Sequence, residues 1–252
     1  MKGLAIDDAA WSSRWRERAV RDKACLSLGL LLTAAVLPPW PTSPLVAAVA
    51  LGLLVTRAGT PAGLVARALR GPALFIVIGC ISVAVVLTTG DGLGLTVTAE
   101  STHRALGVAG HAIAGTSAML LLAMTTPMVD LLAGLRRLRL PEACVEVAGL
   151  IYRMLFILLD SVGTIRESQA ARLGYSSLRR SLRSAGMLTA AILTRSWSRA
   201  RRLEQGLAGR ELTASLRTLD DPTPSSPAFL VAGGATLVAL VSLAALTTGI
   251  AA

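Results

Sequence analysis

Apolar residues in this 252-residue chain are gathered into long runs, and short polar or charged segments separate the runs. Five runs are long enough to cross a bilayer, or nearly so, if some helices are short or tilted. They cover about residues 24–37, 44–56, 72–88, 109–133 and 228–250. A proline-rich turn at 38–41 separates the first two runs, which predicts a tight helical hairpin. The pattern therefore predicts about five transmembrane helices.

The composition agrees with a membrane protein. Hydrophobic residues make up 53% of the chain and charged residues only 16%, and the mean hydropathy is +0.63. A soluble domain has about a quarter of its residues charged. The cysteines Cys25, Cys80 and Cys144 are scattered singly, without the spacing of a metal site or a disulfide framework. We therefore expect an all-α polytopic membrane protein.

The distribution of arginines predicts the orientation. The net charge of +10 is almost wholly arginine. Basic residues follow the second run in 57–71 and the fourth in 134–141, whereas 89–108 holds only Arg104 beside two acidic residues. Because basic loops stay in the cytoplasm, we expect the N-terminal segment 1–23 and both basic loops inside. The 89–108 segment and the C-terminus are expected outside.

A sixth apolar stretch, 142–162, is predicted not to cross. Eleven arginines and three glutamates follow it within 163–217, and crossing would place all of them outside. The stretch also contains Glu142, Glu146, Arg153 and Asp160. We interpret it as a long amphipathic helix that begins after Pro141 and lies at the cytoplasmic face of the membrane.

The arginine-rich region divides into two predicted helices. The first runs from 142 to Arg172 and ends near Gly174, and the second covers about 178–210. The predicted organisation is thus a cytoplasmic segment, four transmembrane helices, a basic cytoplasmic domain, a linker and a last transmembrane helix. The bounds are 1–23, 24–141, 142–217, 218–227 and 228–252.

Both basic helices end on a small residue and an arginine. The first closes on Ala171-Arg172-Leu173-Gly174 and the second on Ala208-Gly209-Arg210-Glu211. An arginine at a helix end complements the negative end of the helix dipole, or it projects its planar guanidinium towards carboxylates on another protein. The motifs alone leave both readings open.

The chain resembles the T components of energy-coupling-factor transporters, specifically the cobalt-type CbiQ family. The resemblance covers essentially the whole length. It is carried by Ile6-Asp7, Trp15 to Lys23, Tyr152-Arg153, Arg166 to Gly174, Leu193 to Ser196, Arg199-Ala200, Leu203-Glu204, Leu207 to Arg210 and Leu216-Arg217. Family members carry two Ala-Arg-Gly type motifs at the ends of two long coupling helices that cross like an X.

The resemblance implies a function in transport. Arg172 and Arg210 would dock into grooves on two cytoplasmic ATPase subunits, which bind ATP and Mg²⁺. This chain would transmit their motion to a cobalt-type substrate-binding membrane subunit, with a small accessory membrane subunit as a further partner. The implied docking residues are Ala171, Arg172, Leu173, Gly174, Gly209, Arg210 and Glu211, supported by Arg166, Arg195, Ser196, Arg199 and Arg202.

Two departures from the family pattern affect these motifs. Leu173 separates the first arginine from its glycine, and in the second motif Gly209 stands for alanine and Glu211 for glycine. A carboxylate beside Arg210 would neutralise the arginine or repel an acidic groove. We therefore expect the second docking point to be weaker than the first.

Other functional classes fit the sequence less well. Lys2 and Lys23 are the only lysines and neither lies in a P-loop, so the chain is not expected to be an ATPase or to carry a cofactor. His103 and His111 lack partners for a metal site. Nickel or another micronutrient remains an alternative substrate. A membrane enzyme, or a scaffold with a basic membrane-surface domain, remains an alternative class, whereas a nucleic-acid binder would want an aromatic stacking set.

The expected location is the inner membrane of a bacterium or archaeon, where the lipid bilayer itself would hold part of the basic surface. The fourth run contains many small residues between Ala105 and Gly115. Small residues allow helices to approach closely in lipid. They mark either a seam with another subunit or packing within this chain.

Overall fold

The computed structural model describes residues 5–88, 94–137, 141–208 and 225–250. Within them the chain is helical, apart from one short antiparallel strand pair. The helices are α1 (Ala5–Ser12), α2 (Val20–Val36), α3 (Pro39–Gly52), α4 (Ala62–Ala84), α5 (Ala99–Thr125), α6 (Met128–Arg137), α7 (Glu142–Ala171), α8 (Leu178–Ala208) and α9 (Pro227–Ile250). A π-helical turn, Leu53–Arg57, continues α3.

The chain divides into two compact units. One comprises Leu4–Leu131 together with Asp221–Ala252, and we call it the membrane unit. The other comprises Leu132–Asp220, and we call it the arginine-rich unit. α6 contributes residues to both units, because the division falls within it.

The core of the membrane unit lies between α2, α3 and α5. Fully buried side chains include Leu30 of α2, Val46 of α3, and Leu121 and Met124 of α5. α5 contacts α1, α2, α3 and α4, so it occupies the centre of the unit. α2 and α3 are joined only by Leu37 and Pro38 and pack against each other. The predicted helical hairpin is therefore confirmed.

The small residues of α5 are used for packing within this chain. A Cβ atom on Gly107 would lie 3.2 Å from the Cγ of Pro39, and one on Gly110 would lie 3.2 Å from the Cβ of Ser43. A Cβ atom on Gly115 would lie 3.2 Å from Leu31 in α2. Of the two interpretations of this stretch, the structure supports close contact with α2 and α3. The imidazole of His111 joins the same contact, because its Nδ1 lies 2.6 Å from the carbonyl oxygen of Ala34.

Four helices of the described residues are long and apolar enough to cross a membrane. They are Pro39–Arg57, Ala62–Ala84, Ala99–Thr125 and Pro227–Thr247. The first predicted span corresponds to α2, which has 17 residues and begins with three charged side chains. At about 1.5 Å per residue α2 is slightly shorter than a bilayer core of about 30 Å. That α2 also crosses the membrane stays a prediction.

The segment between α4 and α5 differs from the expected loop. β1 (Val85–Thr88) pairs antiparallel with β2 (Gly94–Val97), with Val85 opposite Val97. α5 then begins at Ala99, about ten residues before the apolar run, because Thr98 and Ser101 form a capping box. The apolar run alone predicts this helix at 109–133. It ends at Thr125, since Pro127 follows closely.

Two buried charged residues at the start of α2 connect it to the end of α5 and to the start of α9. Asp22 and Lys23 are only 1% and 2% exposed. Lys23 Nζ donates to the carbonyl oxygens of Trp15 and Thr125, at 3.2 and 3.0 Å. Asp22 Oδ2 accepts from the backbone N–H of Ser226 at 2.9 Å, directly before α9. The starts of α2 and α9 are therefore held beside the end of α5.

Candidate docking site on the arginine-rich helices

α7 and α8 form the arginine-rich unit as the sequence predicted. α7 has 30 residues and begins directly after Pro141, and α8 has 31 residues. α7 is not among the described helices that are long and apolar enough to span a membrane. That 142–162 lies at the cytoplasmic face stays a prediction. The two helices pack against each other and are joined by a turn at 172–177. The X-shaped crossing stays a prediction.

The turn begins with a Schellman motif at the end of α7. The N–H of Leu173 donates to the carbonyl oxygen of Ala170 at 3.0 Å, and the N–H of Gly174 donates to that of Gln169 at 2.8 Å. These two bonds satisfy carbonyl groups that the helix end leaves without partners. The motif needs a left-handed residue, and here it is Leu173, with a φ of 56°. Glycine is the usual residue at this position.

The first departure from the family pattern falls at the left-handed position of this turn. Leu173 occupies the position directly after the arginine, where the Ala-Arg-Gly type motif has glycine, and it adopts the left-handed conformation that favours glycine. Its side chain is 66% exposed, so packing does not require leucine there. Leucine here therefore adopts a conformation that glycine would adopt without strain.

Gly174 is required for a different reason, because atoms of Gln169 and Ser184 lie too close to this position for a side chain to fit. A Cβ atom at this position would lie 2.8 Å from the carbonyl oxygen of Gln169 and 2.7 Å from the hydroxyl of Ser184. Ser184 lies in α8, is almost fully buried, and donates to the carbonyl oxygen of Gly174 at 2.9 Å. Glycine at 174 thus lets α8 contact the end of α7.

Further side chains join the two helices at the turn. Gln169 Nε2 donates to the carbonyl oxygen of Ser184 at 3.0 Å, and the Tyr175 hydroxyl donates to Gln169 Oε1 at 2.7 Å. The guanidinium of Arg166 lies 6.0 Å from the centroid of the Tyr175 ring. Ser177 caps α8, since its hydroxyl accepts from the N–H of Arg180 at 3.3 Å. The turn is therefore fixed from both helices.

Arg172 occupies the cap position of α7, at the outer side of this turn. Its side chain is exposed, and it forms no ion pair with any side chain in the described part of the chain. Arg180, by contrast, donates from Nη1 to the Ser176 hydroxyl at 2.9 Å. A free guanidinium at a fixed helix end can bind a carboxylate on another surface with both nitrogens. Its backbone is already ordered, which lowers the entropic cost of such a contact.

The remaining predicted site residues lie along α8 or outside the described residues. Arg195 and Arg202 are exposed, whereas Arg199 and Ser196 are half-buried. The Ser196 hydroxyl donates to the carbonyl oxygen of Ile192, at 2.8 Å, within the helix. Ala208 is the last described residue of α8. Gly209, Arg210 and Glu211 lie outside the described residues, so the expected second docking point stays a prediction.

An exposed apolar stripe follows one face of α8. Spacings of four, eleven and four residues place its members on one side of the helix. They are Leu178, Leu182, Leu193 and Trp197, each between 65 and 79% exposed. Apolar stripes of this size mark contact with a partner or with lipid.

Sequence reasoning missed the residues that hold the turn. Ser184 and Gln169 had no signal in the sequence, because their role depends on where the second helix folds back. Ser177 did have one, since a serine directly before a helical pattern is a capping signal. The turn was predicted, whereas its side-chain contacts could not be.

The fold and this turn together define a class: a multi-pass, all-α membrane protein with a separate basic unit of two long helices. A family model described as cobalt transport protein, CbiQ, matches residues 12–218. The chain belongs to the CbiQ cobalt transport protein family.

Individual relatives agree with this assignment. The chain is 37% identical over 230 residues to the cobalt transport protein CbiQ of Rhodobacter capsulatus, covering 91% of this chain and 93% of the relative. It is 30% identical over 208 residues to CbiQ of Salmonella typhimurium, covering 75% and 88%. It is also 27% identical over 206 residues to a putative fused cobalt transport protein CbiMQ of Methanocorpusculum labreanum, covering 77% of this chain and 34% of that protein.

Proposed function

We propose that this chain is the energy-coupling T subunit of an energy-coupling-factor importer for cobalt ions in a bacterial or archaeal cell membrane. Its basic unit would lie in the cytoplasm and bind two ATPase subunits, which carry ATP and Mg²⁺. Its membrane unit would contact a substrate-binding membrane subunit and a small accessory subunit. The chain itself would be non-catalytic and without a cofactor.

The observation that supports this proposal most directly is the exposed Arg172 at the fixed turn. The Schellman motif and the Ser184 contact hold the backbone, while the guanidinium has no ion-pair partner among the described residues. An arginine that only complemented its own helix dipole would not need a turn held from two helices. A docking residue would need it, because a mobile anchor transmits little force.

The length of the helices supports transmission of motion. α7 and α8 have 30 and 31 residues, so each is about 45 Å long at 1.5 Å per residue. A helix that moves as a rigid body carries displacement at one end to the other. Motion imposed at the turn would therefore reach the opposite ends of both helices.

The substrate is proposed from the relatives. Two of them are named cobalt transport proteins and a third a putative fused cobalt transport protein. No group of three or more His, Cys, Asp or Glu side chains in the described residues is placed to hold a metal ion. Metal selectivity would then belong to the substrate-binding subunit. Nickel or another micronutrient stays an alternative that uptake measurements with each metal would separate.

Purification of the complex in detergent tests the proposal. The wild type is compared with Arg172→Glu, Arg210→Glu and the double variant, and bound ATPase and cobalt uptake are measured. We expect Arg172→Glu to weaken ATPase binding by about tenfold to a hundredfold, since a charge-assisted contact contributes about 1.5–3 kcal/mol. Arg210→Glu should have a smaller effect, because Glu211 stands beside it. The double variant should retain no ATPase.

Arg183→Glu is the matched control. Arg183 is exposed on α8 and carries the same charge change without belonging to either motif. If the control lost as much ATPase as Arg172→Glu, general basic charge would explain the binding. If no ATPase accompanied the wild type, the coupling role would be wrong, and a membrane enzyme or a basic membrane-surface scaffold would become the better interpretation.

A further inference from the structure

A cleft of about 210 Å³ opens on the membrane unit, between the N-terminal segment, the end of α3 and the start of α9. Its walls include Trp15, Arg18, Leu26, Arg57, Phe229 and Ala232. The coupling function proposed above leaves the cleft without a role.

Two arginines line the cleft, and no carboxylate of the described residues forms an ion pair with them. Arg18 is half-buried and Arg57 is exposed, and neither forms an ion pair with a side chain of the described residues. The guanidinium of Arg18 lies 4.8 Å from the centroid of the Phe229 ring, which holds it at the cleft wall. Two unpaired guanidinium groups favour an anion, above all one with several oxygens such as a phosphate.

The rest of the cleft is mainly apolar. Trp15 and Phe229 meet edge to face, with ring centroids 5.0 Å apart, and form an aromatic wall. Leu26 of α2, Leu53, and Ala232, Gly233 and Thr236 of α9 line the remaining surface. The Thr236 hydroxyl donates to the carbonyl oxygen of Gly233 at 2.6 Å, so its hydrogen is already used within the helix. Inorganic phosphate would gain nothing from this surface. A molecule with a phosphate at one end and hydrocarbon at the other would use both parts.

The cleft lies where a lipid headgroup would be. Arg57 is the last residue of the candidate span Pro39–Arg57, and Phe229 lies near the start of the candidate span Pro227–Thr247. Both ends therefore mark the same edge of the membrane. Basic pockets between transmembrane helices at the membrane edge bind the headgroups of anionic lipids. Tryptophan is likewise typical of this level of the bilayer.

We propose that this cleft is a binding site for one anionic phospholipid, whose phosphate is held by Arg18 and Arg57 and whose acyl chain lies against Leu26 and α9. A phospholipid matches the charge, the apolar surface and the position at the same time. The site needs neither the ATPases nor the orientation of the chain, so it is independent of the coupling function proposed above.

Native mass spectrometry tests the site directly. The full chain, with the subunits that accompany it, is reconstituted in vesicles of phosphatidylcholine with a minority of phosphatidylglycerol, then released and analysed for retained lipid. We expect one phosphatidylglycerol on the wild type, in preference to phosphatidylcholine. Arg57→Gln should lower its retention by about tenfold, since a hydrogen bond to a charged group is lost. Arg57 is exposed, so the protein should still fold.

Two further variants make the result specific. Arg70→Gln removes the same charge from an exposed arginine of α4 that does not line the cleft, and it should retain the lipid. Ala232→Leu keeps both arginines but fills the apolar surface beside them, and it should lose the lipid. Retention by Ala232→Leu, or full displacement by inorganic phosphate, would show an anion site without an acyl chain and overturn the proposal. If Arg70→Gln and Arg57→Gln lost the same amount of bound lipid, surface charge alone would explain the binding. That result would also overturn the proposal.

Discussion

Leu173 is a leucine in a conformation that favours glycine. Its φ of 56° costs an ordinary residue about 1–2 kcal/mol, whereas glycine adopts it freely. Glycine loses about 0.5–1 kcal/mol through the greater freedom of the unfolded chain. The difference predicts that Leu173→Gly makes the turn more stable by roughly 0.5–1 kcal/mol.

Hydrogen exchange at the turn measures this change. The N–H groups of residues 173 and 174 donate the two Schellman bonds, so their exchange reports the opening of the turn. After correction for intrinsic rates, exchange in Leu173→Gly should be about two- to fivefold slower than in the wild type. Faster exchange would contradict the left-handed conformation at this residue.

Gly174→Ala should disrupt the same turn by a steric clash. The added methyl group would meet the carbonyl oxygen of Gln169 and the hydroxyl of Ser184, and the carbonyl is backbone and cannot rotate away. Such overpacking costs about 1–3 kcal/mol. We expect faster hydrogen exchange across 169–177 and a loss of any partner that binds Arg172.

The matched control for that change is Gly186→Ala in α8. A Cβ atom there would meet nothing within 4 Å. Alanine is favoured over glycine within a helix by about 1 kcal/mol, so this variant should be at least as stable as the wild type. If both variants behaved alike, the close approach at Gly174 would have no role.

At the scale of elements, the sequence predicted the helices whose ends are marked by residues such as proline or glycine. α7 begins after Pro141, and its end near Gly174 follows from the glycine, so both bounds were predictable. The strand pair Val85–Thr88 and Gly94–Val97 was missed, because β1 continues the apolar run of α4 without a change of composition. The early start of α5 was missed because a Thr-Ser capping pair is a weak signal beside a long apolar run.

The sequence left open whether the small residues of α5 pack within this chain or against another subunit. The observed packing leads to a testable prediction. Gly110 faces Ser43 of α3, and a Cβ atom already reaches 3.2 Å from it, so Gly110→Leu would force α3 and α5 apart. Overpacking of this kind costs about 1–3 kcal/mol. The melting temperature of the purified chain in detergent should fall by several degrees.

Gly234→Leu on α9 is the control for Gly110→Leu. Gly234 is exposed and a Cβ atom there meets nothing within 4 Å, so leucine would only extend an apolar helix surface. This variant should melt close to the wild type. An unchanged melting temperature in Gly110→Leu would instead favour a loose contact, as expected of a seam left open for another subunit.

At the scale of the whole molecule, composition was enough to predict the class of protein, whereas the docking site stays a prediction from the family resemblance. The low charge content and the apolar runs predicted a polytopic helical membrane protein, because repeated long apolar runs with few charges match the length of membrane-spanning helices. The buried charges Asp22 and Lys23 were not predictable as structural residues. Their partners, Ser226 and Thr125, lie more than 100 residues away along the chain.

The side of the membrane on which the N-terminus lies depends on whether α2 crosses the bilayer. The distribution of arginines puts the segments at 57–71 and 134–141 on one side. Because α3 belongs to a candidate span, the N-terminus joins them only if α2 crosses as well. α2 has 17 residues and spans about 26 Å. A deficit of a few Å costs fractions of a kcal/mol per Å, which local thinning of the bilayer accommodates. We therefore predict that α2 crosses.

Cysteine labelling in intact cells decides this, with Cys25, Cys80 and Cys144 first replaced. Glu17→Cys and Gln205→Cys, both at exposed positions, should react with an impermeant reagent only after the membrane is opened. Thr102→Cys, exposed near the start of α5, should react from outside and serves as the positive control. Outside labelling at 17 alone would mean that α2 does not cross. Outside labelling at 205 would place the arginine-rich unit outside the cell, where no ATP-driven partner exists to move it.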